Sequence, residues 1–152
     1  MANPKLNNEA SHSKIAVEYK FRATPFSVRG HITQVLDDLS DHLPYPQTRP
    51  SLELVMAELL NNIVEHSYAG NPRGYIFLQV TLDADDIFIK TSDTGIPMPD
   101  LLLPDPSSPD LDVSRIHLPE GHFGWLMIRE LCCDLQYMRT NATNHFSLKL
   151  ND

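Results

Sequence analysis

Apolar and polar positions follow two different periods along the chain, and the changes of period divide it into predicted secondary-structure elements. Apolar side chains occupy every second position over residues 15–21, which predicts a strand with one buried face. From Pro25 or Ser27 to about His42, apolar side chains recur at helical spacing, which predicts a first amphipathic helix. The fold is therefore expected to begin with a strand followed by a helix.

A second helix is predicted from about 48–51 to Tyr68, where a glycine-containing segment at 70–74 breaks the pattern. Its apolar stripe repeats every three to four residues and consists of Leu52, Val55, Met56, Leu59 and Ile63. Two β-rich runs, at 75–82 and 87–91, flank an aspartate-rich turn. This pattern predicts an antiparallel hairpin directly after the helix.

The stretch from 96 to 120 contains six of the twelve prolines, so it is predicted to form a long loop. Loops of this length within a compact domain are usually functional lids or disordered segments, which makes this one a candidate lid over a site. After it, the pattern predicts a third helix over 121–133 and a final hairpin with strands at 135–139 and 145–150.

The order strand, helix, helix, hairpin, lid, helix, hairpin predicts an α+β fold. We expect a two-layer sandwich in which helices cover one face of a mixed, mostly antiparallel sheet. The length of 152 residues and the hydrophobic content of 41% suit one compact domain. This domain is predicted over residues 14–152, after a flexible tail at residues 1–13 that lacks periodicity.

The chain carries 20 acidic against 12 basic residues, a formal net charge of −8 at pH 7. Such a field repels nucleic acids and anionic membranes, and no apolar run reaches the roughly 18–20 residues of a membrane span. We therefore expect a cytoplasmic protein that binds neither directly. The two cysteines, Cys132 and Cys133, are adjacent in the predicted third helix, and we expect both to be buried, unbridged thiols.

Three polar residues on the second helix, Glu58, Asn62 and His66, are four positions apart and form one row beside the apolar stripe. A carboxylate at Glu58 can accept a proton from a hydroxyl or a water. The amide oxygen of Asn62 is a neutral ligand suited to a hydrated Mg²⁺ that also binds phosphates. The alternative is a solvated helix edge without chemistry.

A second candidate lies where an apolar strand runs into Asp93 and Gly95. The carboxylate can accept a hydrogen bond from an exocyclic amine, and the glycine lets the backbone approach a flat ring. The same Asp-Thr-Gly sequence is also a common turn. It occurs in aspartic proteases too, but a single copy in a chain of this length would need a dimer and a flap hairpin.

A third candidate is the start of the third helix, where Gly121 and Gly124 follow the proline-rich lid. Free backbone N–H groups and the positive end of the helix dipole favour an anion, and the missing side chains let a phosphate come close. The alternative is a helix start whose glycines only permit close packing.

Together and in this order, the three segments resemble the N-box, G1-box and G2-box of the GHKL superfamily, which has the Bergerat ATP-binding fold. Residues 58–68 are similar to the N-box of its bacterial anti-sigma branch, the serine protein kinases of the RsbW/SpoIIAB type. The resemblance extends from the first strand to Leu150. It includes the segment 128–134, which follows the last glycine motif in register.

The resemblance implies ATP and Mg²⁺ as cofactors, with Glu58 as the catalytic base and Asn62 as the metal ligand. It makes His66 a supporting residue, Asp93 the acceptor of the adenine amine, and Gly95 the glycine of the adenine pocket. The remaining residues that it assigns to the nucleotide form one phosphate-binding segment: Gly121, His122, Phe123 and Gly124.

The resemblance also implies partners. These are a STAS-type anti-anti-sigma protein, phosphorylated on a serine, and a sigma factor, with a homodimer as the expected assembly. The sequence departs from many relatives at Ile96-Pro97, where they have a second glycine, and at His122. A nucleotide-gated binding switch without kinase activity and a simple ATP hydrolase therefore remain open. Arg115 and Arg129 are candidates for contacting the γ-phosphate, although a helix role is favoured for Arg129.

Overall fold

The computed structural model of the protein describes residues 13–104 and 122–151. Within these residues, five strands and three α-helices form two layers, with the helices on one face of the sheet. In chain order the elements are β1 (Ile15–Arg22), α1 (Pro25–Asp38), α2 (Thr48–Asn62), β2 (Tyr75–Asp83), β3 (Asp86–Asp93), α3 (His122–Leu131), β4 (Cys132–Thr140) and β5 (Thr143–Leu150). The predicted α+β sandwich is confirmed.

The strands are ordered β1-β2-β3-β5-β4, and each of the four neighbouring pairs is antiparallel. The part of the sheet that the structure describes therefore has no parallel pair, although a mixed sheet was allowed by the sequence. Strand alternation places Ile76 and Leu78 of β2 on the helix side, while Phe77 between them is 52% exposed on the other side. The register between β3 and β5 pairs Asp93, at the end of β3, with Asn144 of β5.

The core lies between the sheet and the helices, and α2 is its central helix because it packs against both α1 and α3. All five residues of the predicted α2 stripe are buried. Helix α1 begins as its sequence requires. Thr24 accepts a hydrogen bond from the backbone N–H of Ser27 at 3.1 Å, and Pro25 occupies the first turn.

The boundary between α3 and β4 differs from the predicted one. Helix α3 ends at Leu131, and both cysteines belong to β4, where Cys132 pairs with Leu150 of β5. Pairing with β5 overrides the helical pattern there because the backbone hydrogen bonds of the sheet replace those of a longer helix. Strand alternation then buries Cys132 and exposes Cys133, so the expectation of two buried thiols is wrong for Cys133.

Two other predicted features fall largely outside the described residues. The tail at 1–13 overlaps them only at Ser13, and the lid at 96–120 only at 96–104. Within that part of the lid, a short 3₁₀ turn spans Pro99–Leu101. Among the helices of the described part of the chain, none is long and apolar enough to cross a membrane.

Core packing can be tested with two leucines of opposite burial. Leu52 on α2 is fully buried, whereas Leu102 is 67% exposed. We expect Leu52→Ala to lower the free energy of unfolding by about 2–5 kcal/mol, because it removes buried methyl groups and leaves a cavity. Leu102→Ala should stay within about 0.5 kcal/mol of the wild type. Urea unfolding measures both values, and similar losses in the two variants would contradict this packing.

Candidate functional site

Two of the predicted site residues lie together on α2. Asn62, the last residue of the helix, is buried, and Glu58, one turn earlier, is partly exposed. They flank the core residue Leu59, so their row lies at the edge of the packed face and opens towards α3. The side-chain nitrogen of Asn62 has no hydrogen-bond partner within the described residues. A buried amide in this state is suited to a polar ligand, because leaving it unpaired costs free energy.

The α2 helix continues into a single turn of π-helix at Ile63–Ser67, closed by a hydrogen bond from the N–H of Tyr68 to the carbonyl of Ile63 at 3.1 Å. A π turn contains one residue more than an α turn. It therefore breaks the four-residue spacing that the sequence suggested. His66 is exposed, whereas Asn62 is buried, so the predicted row is continuous only for Glu58 and Asn62.

The start of α3 contacts this pair directly. A β-carbon placed on Gly124 would lie 2.5 Å from Oε2 of Glu58 and 3.5 Å from Nδ2 of Asn62. Glycine at this position therefore lets the backbone of α3 approach the two polar side chains. Gly121 lies outside the described residues, and the backbone alone is described for His122 and Phe123. The structure thus brings one of the two predicted phosphate-loop glycines onto Glu58 and Asn62.

The carboxylate of Asp93 lies at the end of β3 and is only 2% exposed. Its Oδ1 accepts hydrogen bonds from the N–H of Gly95 at 3.0 Å and from Nδ2 of Asn144 at 2.9 Å. Its Oδ2 has no hydrogen-bond partner among the described residues. Burial raises the pKa of Asp93, and this rise is opposed by the bonds from Asn144 and Gly95, the nearby Ser67 hydroxyl and the Arg139 guanidinium.

Gly95 packs against the π turn. A β-carbon on Gly95 would lie 2.2 Å from the carbonyl oxygen of Ser67, and the N–H of Ile96 donates to that same oxygen at 2.7 Å. Because the obstacle is backbone, a larger residue would have to displace the loop or the π turn. The loop after β3 is therefore fixed to the end of the helix that carries Glu58 and Asn62.

Three further residues of the site were not predicted from the sequence. Asn144 on β5 is completely buried, and its amide contacts Asp93. The side chains of Tyr137 and Arg139 on β4 both donate to its Oδ1, at 2.6 and 2.7 Å. The sequence did contain one signal. The inward positions of β5 are Asn144 and three apolar residues, Phe146, Leu148 and Leu150, so a polar side chain at the first of these positions required a buried partner.

The structure describes one of the two arginines that are candidates for contacting the γ-phosphate. Arg115 lies outside the described residues. Arg129 is partly buried on α3, and it donates two hydrogen bonds to the carbonyl of Pro104, at 3.2 and 2.8 Å. In this structure the Arg129 guanidinium therefore binds the first part of the predicted lid to α3, which accounts for its position on the helix.

The donor set fits a metal-bound nucleotide in two places. Among the described residues, the side-chain nitrogen of Asn62 beside Glu58 and Gly124 and one carboxylate oxygen of Asp93 beside Gly95 have no hydrogen-bond partner. The amide can present its oxygen to a hydrated cation or its N–H to a phosphate, and the carboxylate oxygen can accept from an amine. Both sites border α2 and its π turn, so one elongated ligand could contact both.

Fold and site together define an α+β domain with the GHKL fold. The sequence matches the family described as histidine kinase-like ATPase domain over residues 21–150, and the chain belongs to this family. Membership in an ATPase family implies ATP binding. No curated protein matches the chain significantly.

The fold is similar to the crystal structure of the RsbU and RsbW domains of Rv1364c from Mycobacterium tuberculosis, with a TM-score of 0.61 and 16% sequence identity. The match covers 90% of this chain but 32% of that one, so the present chain corresponds to about a third of the neighbour's length. At this level of identity the similarity concerns the fold.

The contact between the loop and the π turn can be tested with two glycines. We expect Gly95→Ala to lower the free energy of unfolding by at least about 1–3 kcal/mol, because the added methyl group meets the Ser67 carbonyl. Gly30→Ala on the exposed side of α1 meets no atom within 4 Å. It should raise stability by about 0.5–1 kcal/mol, as alanine favours a helix. Thermal and urea unfolding give the two signs, and stabilisation by Gly95→Ala would show that the loop is not packed in this way.

Proposed function

We propose that the protein is an ATP- and Mg²⁺-dependent serine protein kinase of the anti-sigma type, which phosphorylates a serine on a STAS-type anti-anti-sigma protein. The observation that carries this proposal is the approach of Gly124 to Glu58 and Asn62. It brings a helix start suited to phosphate next to a carboxylate suited to accept a hydroxyl proton. Phosphoryl transfer needs mainly this positioning and charge neutralisation from the protein.

Each residue of the site has a distinct task in this proposal. Asp93 and Gly95 hold the adenine ring, with the free carboxylate oxygen accepting a hydrogen bond from the exocyclic amine. Gly124, together with Gly121, His122 and Phe123, surrounds the phosphates, and His66, which is exposed, is a supporting residue of the nucleotide site. Asn62 would hold Mg²⁺, which supplies neutralisation of the phosphate charge.

Glu58 accepts the proton of the substrate serine as the serine oxygen attacks the γ-phosphorus. The bond from that phosphorus to the β,γ-bridging oxygen breaks at the same time. ADP leaves with the electron pair of the broken bond. The phosphoryl group ends on the serine, and the proton ends on the carboxylate of Glu58.

The proposed partners follow from the resemblance and from the structural neighbour, a protein with an RsbW domain. We propose that the chain works in the cytoplasm as a homodimer and alternates between a sigma factor and the anti-anti-sigma protein. Its charge of −8 supports recognition of protein partners rather than nucleic acid.

A nucleotide-gated switch without transfer is favoured by one observation. Ile96 belongs to the pair Ile96-Pro97, where many relatives have a second glycine. It is held on both sides, because its N–H donates to the carbonyl of Ser67 and its carbonyl accepts from Asn144. A loop held in this way has less freedom to rearrange during turnover.

Incubation with γ-labelled ATP and a serine-bearing STAS protein distinguishes the kinase, the hydrolase and the switch. Label on the partner supports the kinase, release of phosphate alone supports a hydrolase, and bound, unchanged ATP supports the switch.

In the same assay we expect Glu58→Ala to abolish transfer while ATP affinity stays within about tenfold of the wild type, since a base contributes mainly to the transition state. Glu53→Ala, on the exposed side of the same helix, is the matched control and should phosphorylate normally. Calorimetric titration gives the affinities. Transfer by Glu58→Ala at the wild-type rate would remove Glu58 from the role of base.

Asp93→Asn should weaken ATP binding strongly while leaving inorganic phosphate binding nearly unchanged, because it removes the acceptor for the adenine amine. Equal losses for both ligands would mean that Asp93 does not contact the base. Asp83→Asn, exposed at the other end of the β2–β3 hairpin, is the control.

The same Asp93→Asn substitution, which weakens ATP binding, should increase the free energy of unfolding of the protein without ligand. The raised pKa of Asp93 means that folding favours its protonated form, so the wild type loses stability as the pH rises from the ordinary value of 3.8 to the raised one. Above that window the loss is complete, and Asp93→Asn avoids it. The variant should therefore be at least as stable as the wild type at pH 7 and should gain relative to it from acid to neutral pH.

A further inference from the structure

The amide of Asn144 has all four of its hydrogen-bonding capacities filled. Its nitrogen donates to Oδ1 of Asp93 at 2.9 Å and to the carbonyl of Ile96 at 2.8 Å. Its oxygen accepts from the hydroxyl of Tyr137 and from the guanidinium of Arg139. An asparagine amide has two N–H donors and two acceptor lone pairs. These four hydrogen bonds therefore hold the Asn144 side chain in a single orientation.

Arg139 and the Ile96 carbonyl, on opposite ends of that amide, determine which end of it faces Asp93. A guanidinium donates hydrogen bonds and has no acceptor, so the Asn144 atom at 2.7 Å from it must be the oxygen. The nitrogen must then point to Asp93. A donor on Oδ1 favours the ionised carboxylate, in which both oxygens act only as acceptors. The polarity set by Arg139 on β4 thus reaches Asp93 on β3 through Asn144 on β5.

The same three side chains also hold the loop that follows Asp93. Arg139 donates to the carbonyl of Gly95 at 2.9 Å, Asn144 binds the carbonyl of Ile96, and the N–H of Met98 donates to the hydroxyl of Tyr137 at 3.0 Å. The free oxygen of Asp93 is therefore fixed relative to the adjacent backbone, which is what recognition of a flat base requires.

We propose that Arg139, acting through Asn144, is the positioning residue that keeps Asp93 a hydrogen-bond acceptor. The nucleotide site is thereby restricted to purines that have an exocyclic amine, such as adenine, and it disfavours hypoxanthine, the base of inosine, which has an oxygen on the same carbon. This proposal deepens the proposed ATP site and rests on it. Adenine offers a donor to the free Oδ2. Hypoxanthine offers a carbonyl oxygen at the same position, and two acceptors facing each other repel.

The charged and titratable groups on the elements around Asp93 are few in the described structure. Arg139 and Tyr137 approach through Asn144 from β4, and Ser67 is the polar neighbour on the π turn. Of these, Arg139 alone is permanently charged. Its removal takes away the donor to the Asn144 oxygen that cannot act as an acceptor, because the Tyr137 hydroxyl can do both. The Ile96 carbonyl still opposes reversal of the amide, so reversal becomes less costly rather than complete; where it occurs, it turns the Asn144 carbonyl towards Asp93 and requires a proton on that carboxyl.

The test compares binding of ATP and inosine triphosphate by calorimetry in the wild type, Arg139→Met, Arg139→Lys and Lys90→Met. Lys90 is an exposed lysine of β3 outside the site, so Lys90→Met loses the same charge without touching Asn144. We expect the wild type and Lys90→Met to prefer ATP by about 10- to 100-fold, the cost of an unpaired buried charged acceptor. Arg139→Met should reduce the preference for ATP at least fivefold and shift the pH range over which that preference appears to higher pH. Arg139→Lys should restore part of the preference.

Equal weakening of ATP, inosine triphosphate and inorganic triphosphate in Arg139→Met would indicate a purely structural role and overturn the proposal, as would an unchanged preference. If Arg139→Met does not fold, Arg139→Gln replaces the guanidinium with an amide that can accept as well as donate and should narrow the preference for ATP to a smaller extent; no narrowing there overturns the proposal too. Failure of the wild type to bind ATP refutes the nucleotide site itself. Normal ATP binding without kinase activity refutes only the proposed reaction.

Discussion

Burial of the Asp93 carboxylate is the constraint around which this end of the molecule is organised. A buried charge is tolerated only when hydrogen bonds replace its hydration, and here such bonds reach one of its two oxygens. Asn144 supplies the main one, and it is completed in turn by Tyr137 and Arg139. Three neighbouring strands and the loop after β3 thus have one polar arrangement in common, and the second oxygen has no partner among the described residues.

The other half of the site depends on close backbone approach rather than on buried charge. Gly124 brings α3 onto Glu58 and Asn62, and Gly95 brings the loop onto Ser67. Both contacts are made to the same continuous stretch of helix and π turn. The helix that forms the centre of the core therefore also fixes the spacing between the two polar regions, which links the geometry of the proposed nucleotide site to the packing of the domain.

The sequence predicted the elements whose period is regular, such as β1, the α2 stripe and the β2–β3 hairpin, because burial on one side imposes that period. The end of α3 was predicted too late, since pairing of Cys132 with Leu150 is a tertiary interaction without a local signal. The π turn was missed because four-residue spacing assumes α geometry. Glu58 and Asn62 were found by that spacing, whereas the contacts of Asn144 depend on strand register, which joins residues 51 apart in the case of Asp93.

In the π turn, Ile63–Ser67 occupy a wider coil than the helix before them. Gaining or losing one residue in a single turn of an α-helix rotates the rest of the helix by about 100°, so the winding of this segment determines the direction in which the chain leaves α2. The carbonyl of Ser67 is held by the N–H of Ile96, which connects that winding to the loop beside Asp93. A ligand that shifted this loop would therefore act on the helix as a twist, and the exposed His66 would move with it.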